Sequence, residues 1–453
     1  MRAILAIFVV LVAGSLVLGS AAVPAAAGGD IVRTPGEASY EFRLRSGLTG
    51  KTWRGTGSIA FTNTGTDPLP LVYLRTWSNG VLGCAAHSIT VSNLQGGALT
   101  DERLACTELE VTLDAPLGPG ERTTIAFDLH VRLPDEDDRF GFHRGLALAG
   151  TALPTLAVHD DRGWHRVPFE NLGESFYSVV SDYEVTLNTP RGLDTAATGT
   201  VTERVETGHA RVRTRYTATH VRDFAWAAGE LRRVVRTMRG VDVVVWYQPG
   251  VVSRATARVL ARDAADVIGT LGDAFGAYPY PEIDVVLAGR ATFGGMEYPT
   301  IVFSVPRRST MAHELAHQWF YGNVGNDQYR EPWLDESFAT WAMRLPFDGA
   351  RVGCRGISWP SDAAAFINDM AYWSEHGSHY WLVYSGGACM LANLSKRFGH
   401  DRFLRIVGRY ARRHHLGIAR TEDFMAAIET AAAKHLEGFD ADAYWRRWRV
   451  DPS

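Results

Sequence analysis

"MAHELAHQWF", residues 311–320, contains His-Glu-x-x-His, and the reading of these ten residues decides the fold around them. On a helix, His313 and His317 stand four apart, so both imidazoles leave one face and converge on a single ion. Glu314 lies beside them, where a carboxylate takes a proton from a water activated by that ion. The neighbours favour a helix: Ser309 or Thr310 to cap its start, Gly322 to end the run, and Leu315, Ala316, Trp319 and Phe320 to pack it. Two histidines leave the set incomplete, because a catalytic zinc takes three protein ligands and keeps one position open.

The third donor stands downstream in "YREPWLDESFATWAMRLPF", residues 329–347. Pro332 suits the first turn of a second helix and Pro346 marks its end. Glu336 lies on that helix, eighteen residues beyond His317. Asp327, Glu331 and Asp335 are also nearby, so the spacing, and not acidity alone, singles out Glu336. A carboxylate delivered from the next helix completes a His₂Glu set.

The rest of the chain bounds the answer. With 453 residues, 46% hydrophobic, 21% charged and 13 Trp, it has ample material for a packed core in two or more domains. The formal net charge of -4 gives no basic footprint, which argues against nucleic acid as a partner. The N-terminus reads as an export signal over residues 1–27: Arg2, an apolar run from Ala3 to Leu18, and Ala25-Ala26-Ala27 as a cleavage site. An uncleaved membrane anchor is the rival reading. Secretion or association with the cell envelope is the expected localisation. Of the four cysteines, Cys84 and Cys106 are expected to pair, Cys389 reads as a buried free thiol on an apolar helical face, and a bond from it to Cys354 is left open.

Two textures follow the leader. From 31 to 240, segments such as "RTTIAFDLHVRL" and "DYEVTLNTP" alternate and break at Gly, Asn and Pro, which predicts a β-sandwich or curved sheet. From 241 to 453 the pattern is α+β: "VVVWY" and "IDVVLAG" as strands around the helical "SRATARVLARDAADVIGTLGDAFG", then mostly helices. The acidic "DEDDR", Asp135–Arg139, reads as a solvated loop, and "RRHH", Arg412–His415, as exposed helix surface.

His-Glu-x-x-His followed after eighteen residues by Glu within "WLDESFA" resembles the aminopeptidase N family of zinc metallopeptidases (gluzincins), whose usual form there is W-L-N-E-G-F-A. "GGMEYPT", Gly294–Thr300, resembles that family's G-x-M-E-N segment, and "VYSGGACML", Val383–Leu391, its Y-E-K-G-A helix start. The resemblance implies a saddle-like N-terminal β-sandwich followed by a thermolysin-like α+β catalytic domain. It also implies one zinc per chain on His313, His317 and Glu336. Glu314 would act as base on the zinc-bound water and Tyr384 as oxyanion donor. Glu297 would pair with the free α-ammonium of a peptide, Gly294 and Gly295 would let the peptide backbone approach, and Met296 would line the first side-chain pocket.

The sequence departs from the family at Tyr298 (usually Asn), Ser337 (usually Gly) and Gly386 (often Lys), and Glu336 to Tyr384 is a short interval. Glu170 and Glu174 in "GWHRVPFENLGESFYS" are the candidates for a second, N-domain amine-binding residue. The sequence reaches Ser453 without the large helical C-terminal domain of many members, so a more open cleft is expected. The expected activity is zinc-dependent hydrolysis of the N-terminal bond of peptides. The alternatives are a secreted thermolysin-type endopeptidase and a non-catalytic peptide-binding module.

Overall fold

The computed structural model describes residues 31–289, 293–348, 352–354 and 367–450. The export signal read at 1–27 lies outside the described residues.

The first half is built from strands whose side chains alternate between core and solvent. Gly36–Ser46 shows the pattern plainly: Ala38, Tyr40, Phe42 and Leu44 are buried and the intervening residues face outward. This strand runs antiparallel to Thr52–Thr62 and parallel to Ser181–Pro190. The seven-stranded sheet continues outward through Arg122–Arg132 and Ile89–Gln95 on one side, and Arg211–Val221 and Thr200–Thr207 on the other. One four-stranded sheet is formed by Thr155–Leu156, Leu69–Arg75, Glu108–Leu117 and Gly97–Arg103. Another comprises Asp194–Ala197, Trp226–Gly229, Leu146–Ala149 and Phe140–His143. All three sheets feed one apolar core, in which Phe42, Val72 and Trp226 are fully buried, and Trp53 meets Trp226 edge to face at 5.4 Å. The expected β-sandwich is present.

The second half opens on a five-stranded sheet ordered Arg232–Met238, Val241–Tyr247, Glu282–Leu287, Ile301–Ser304 and Gly295–Met296. Its three central strands are parallel and both edges antiparallel. The junction expected at 240/241 falls in the turn of the hairpin between Arg232–Met238 and Val241–Tyr247, both strands of which belong to this sheet. Helix Arg254–Phe275 connects two parallel strands. Ser253 caps it by accepting from the Thr256 amide, and its two interior glycines do not interrupt it. The remaining helices are mostly short, and none among the described residues is long and apolar enough to cross a membrane.

The two halves interlock through buried polar contacts. The Arg222 guanidinium donates to the carbonyls of Tyr321 (2.7 Å) and Ser178 (2.9 Å). His165 Nε2 meets Asp327 Oδ1 at 3.0 Å, and Arg420 pairs with Asp160 at 3.1 Å. The contacts to Tyr321 and Asp327 pin the stretch between Tyr321 and Arg330, which leads from the histidine-bearing helix to the one that carries Glu336. Buried on both flanks, the charges have partners, as burial requires.

Two cysteine pairs are closed. Cys84–Cys106 forms as expected, and Cys389 is not a free thiol: it is bonded to Cys354. The apolar face that suggested a free thiol is real, since Cys389 is 1% exposed, but a chain segment distant in sequence returns to it.

Candidate active site

The His-Glu-x-x-His segment is helical over Arg308–Ala316, and His317 is the C-cap residue, still in helical geometry (φ -62, ψ -16). The expected caps are displaced: Arg307 is the N-cap, without a side-chain bond, and Ser309 and Thr310 lie inside the first turn. Met311, Ala312, Leu315 and Ala316 are fully buried and hold the helix against the core. The second helix runs Trp333–Ala342 with Pro332 at its N-cap. It stops before Pro346, which sits in a separate short turn, Leu345–Asp348.

The two helices bring three donor atoms together. His313 Nε2 lies 2.9 Å from Glu336 Oε2 and 3.1 Å from His317 Nε2, which is itself 3.4 Å from the same carboxylate oxygen. His317 Nδ1 rests 3.0 Å from the Phe320 carbonyl, an arrangement that places a proton on Nδ1 and turns Nε2 toward the cluster. Burial works against the charged form of Glu336. The hydrogen bonds and charges of His313 and His317 outweigh it, and the carboxyl is held well below its usual range. Two imidazole nitrogens and one ionised carboxylate converging on one point form the donor set that zinc accepts, so the residues fit the metal the sequence implied.

Glu314 sits beside this cluster, and its position depends on a glycine. A Cβ at Gly295 would lie 2.1 Å from Glu314 Oε1. Gly295 therefore makes room for the Glu314 side chain. Gly294, at φ 80, supplies the turn into the edge strand Gly295–Met296. Burial, first of all, pushes the Glu314 carboxyl well above its usual range, with Glu297 and Glu336 adding to it and His317 opposing.

Glu297 follows directly on that strand and is 2% exposed. Its carboxylate falls in one cluster with Glu314 and His317. Gln328 Nε2 donates to Glu297 Oε1 at 3.0 Å and to Asp335 Oδ2 at 2.7 Å, while Asp335 Oδ1 accepts from the Glu336 amide at 2.8 Å. One buried amide thus ties Glu297 to the helix that carries Glu336. Gln318, next to His317, fixes the backbone of the same strip: its Oε1 accepts from the Thr300 amide at 2.9 Å and its Nε2 donates to the Tyr298 carbonyl at 3.1 Å.

Tyr384 is in the site despite the short interval. It lies in a π-helical turn, Leu382–Gly386, just ahead of helix Gly387–Phe398, and its hydroxyl donates to Glu336 Oε1 at 2.9 Å. Its ring stacks on His313 at 5.9 Å. Ser337, where the family has Gly, donates to the Val383 carbonyl and so joins the two elements.

Of the two N-domain candidates, Glu174 belongs to the site and Glu170 does not. Glu170 accepts from Ser374 Oγ at 2.6 Å. Glu174 is buried, and burial first and the charge of Glu297 second raise its carboxyl to about 8. It is paired with Arg139, the last residue of the acidic stretch read as a solvated loop. Asp135 of that stretch is indeed exposed and pairs with Lys51 at 2.6 Å, but Arg139 turns inward. Tyr298, in place of the family's Asn, points away from the donor cluster: it is fully buried against Phe303, and its hydroxyl occupies the space beside Gly150.

Gln318, Gln328 and Arg139 were not singled out from sequence. Gln318 adjoins a marked motif, but Gln328 carries no pattern of its own and Arg139 only ends the acidic stretch read as a solvated loop; their contacts are made by chain distant in sequence.

The fold and the site share one plan: a β-sandwich and an α+β half around a two-histidine, one-glutamate donor set. Residues 304–376 match the Peptidase family M1 domain. The chain is 26% identical to aminopeptidase N of Streptomyces lividans over 198 residues, which is 36% of this chain and 22% of that protein. It is 26% identical to aminopeptidase 2 of Candida albicans over 254 residues, 47% of this chain and 26% of that one. It therefore spans about a quarter of the length of these curated relatives. The M1 zinc metallopeptidase of Deinococcus radiodurans shares the fold, with a TM-score of 0.65, 18% identity, and coverage of 92% of this chain and 94% of that one. A mutant of that enzyme bound to a Tyr-Ser-Ala substrate superposes equally well, with a TM-score of 0.65 at 19% identity over 92% of this chain and 94% of that one. The likeness to M1 peptidases is thus one of fold over most of the chain and of sequence over residues 304–376.

Proposed function

We propose that the protein is an exported zinc-dependent aminopeptidase that removes residues from the N-terminus of peptides. The observation that carries this reading is the buried Glu297 carboxylate, held by Gln328 within the cluster that contains His317 and Glu314. A carboxylate fixed there gives an α-ammonium one place to bind, and so selects the first peptide bond. An internal bond offers no such cation. The likeness to a metallopeptidase whose structure holds a tripeptide supports peptides as the substrate class.

His313, His317 and Glu336 would hold the zinc, one ion per chain, which when bound supplies Lewis-acid activation of water and carbonyl. Glu314, buried and raised in pKa, takes the proton of the attacking water and returns it to the leaving amine. The Tyr384 hydroxyl, resting on Glu336, turns its hydrogen bond to the oxyanion that develops on the carbonyl. Glu297, with Glu174 as its N-domain partner, holds the ammonium. Met296 lines the first side-chain pocket. Export rests on the leader at 1–27, and N-terminal sequencing of secreted protein should begin near Gly28.

The test compares a pentapeptide with its N-acetylated twin, each incubated with zinc-loaded protein and with Glu314→Gln, with products read by mass spectrometry. Stepwise loss of N-terminal residues from the free peptide alone, abolished in the variant, is the expected result. Internal cleavage of both peptides would overturn the reading in favour of an endopeptidase, and absence of cleavage across varied peptides in favour of a binding module.

A further inference from the structure

Arg139 leads into strand Phe140–His143, and its carbonyl accepts from the Gly150 amide at 3.0 Å, so its backbone is fixed by the hairpin that follows. Its side chain leaves that hairpin and enters the site. Nη1 donates to Glu174 and lies 3.2 Å from Met296 Sδ, while Nη2 donates to the Gly173 carbonyl at 3.3 Å. The guanidinium is 5.9 Å from the centre of the Phe176 ring. One side chain therefore touches both the N-domain carboxylate and the residue that precedes Glu297 in the edge strand.

We propose that Arg139 is a positioning residue for the substrate's free amine, holding Glu174 in place opposite Glu297 and fixing Met296 as the wall of the first side-chain pocket. The inference rests on the aminopeptidase reading and deepens it.

Charge balance is the physical reason. Glu174 and Glu297 are both buried and act on each other electrostatically. Two carboxylates so placed with no cation repel, and one takes up a proton or turns away. Arg139, paired with Glu174, opposes that protonation, although burial and the charge of Glu297 still leave the carboxyl raised to about 8. Geometry adds a second requirement. The planar fork serves Glu174 and the Gly173 carbonyl at once, which a single ammonium on a flexible stem cannot reproduce. Gly173 itself is constrained, since a Cβ there would lie 2.1 Å from the Tyr380 hydroxyl, so the segment that presents Glu174 is packed from both sides.

The test measures binding and not turnover. In zinc-loaded Glu314→Gln protein, trialanine and N-acetyl-trialanine are titrated by calorimetry, before and after adding Arg139→Met or Arg139→Lys, with zinc content measured for each. The parent should prefer the free peptide. Arg139→Met should weaken trialanine by about tenfold or more, the scale of a lost charge-assisted contact, and leave the acetylated peptide unchanged. Arg139→Lys should fall between the two, and it decides the matter alone if Arg139→Met does not hold zinc. Undiminished preference for trialanine in the folded variants would overturn the inference and spare the aminopeptidase reading. Equal weakening of both peptides would also overturn it, reducing Arg139 to a structural ion pair. A parent with no preference for the free amine would instead sink the aminopeptidase reading itself.

Discussion

Replacing Gly295 by alanine should separate folding from catalysis. The new Cβ would lie 2.1 Å from Glu314 Oε1, 2.4 Å from its Cδ and 2.5 Å from its Cγ, whereas ordinary contact begins near 3.4 Å. All three clashing atoms belong to the free end of one flexible side chain, so the backbone need not move. The φ of Gly295 is not among the positive values, and alanine there carries no conformational penalty. The carboxylate, however, has to retreat by roughly 1 Å, and a misplacement of that size costs on the order of a hundredfold in rate, about 2.7 kcal/mol. Gly295→Ala should therefore keep zinc and melt within a few degrees of the parent, with kcat/KM for alanine p-nitroanilide reduced about a hundredfold. Gly294→Ala gives the contrast. Its φ of 80 makes any side chain strained, yet its Cβ would meet nothing within 4 Å, so stability should suffer by about 1 kcal/mol and Glu314 should not. Zinc-loaded Gly295→Ala with kcat/KM within about threefold of the parent would refute the claim that this glycine sets the position of the base.

Further outcomes are expected elsewhere in the fold. Gly150→Ala would bring a Cβ to 1.8 Å from the Tyr298 hydroxyl and 2.4 Å from its Cζ, atoms of a rigid buried ring, and should lower stability by about 1–3 kcal/mol in chemical denaturation. Asp223, whose carboxyl burial raises from 3.8 to about 7, keeps its proton in the folded chain where the unfolded chain has released it. Its contribution is thus full below about pH 4 and is lost as pH rises through about 7, so Asp223→Asn should gain up to a few kcal/mol over the parent at pH 8 and nothing at pH 4 in urea titrations. Removing the Cys354–Cys389 bond, which spans 35 residues, by paired serine substitution should cost about 3–4 kcal/mol at most by the chain-entropy estimate, measured as a shift in the denaturation midpoint.

Much of the site was legible because metal chemistry constrains sequence locally. Two histidines four apart on a helix and a glutamate on the next must appear at fixed intervals, and His313, His317 and Glu336 do. The alternating strands of the first half were equally visible, since a sheet with one buried face writes a period of two into its sequence. Helix ends were read less well. Ser309 and Thr310 are good caps by type, but packing of Met311 and Ala312 sets where the helix begins, and Arg307 is left at its boundary.

Sequence by itself marked out His313, Glu314, His317, Glu336 and Glu297, and the division into sandwich and α+β texture. Each of these is specified by residue type and short-range spacing. Only the tertiary structure decided that Cys389 is bonded, that Glu174 and not Glu170 enters the site, that Gly295 leaves room for Glu314, and that Arg139 pairs with Glu174 and Gln328 with Glu297. Those facts depend on chain segments that are far apart in sequence and meet through packing. Pairwise encounters of that kind leave no periodicity for a single sequence to display, whereas a helix face or a strand face does.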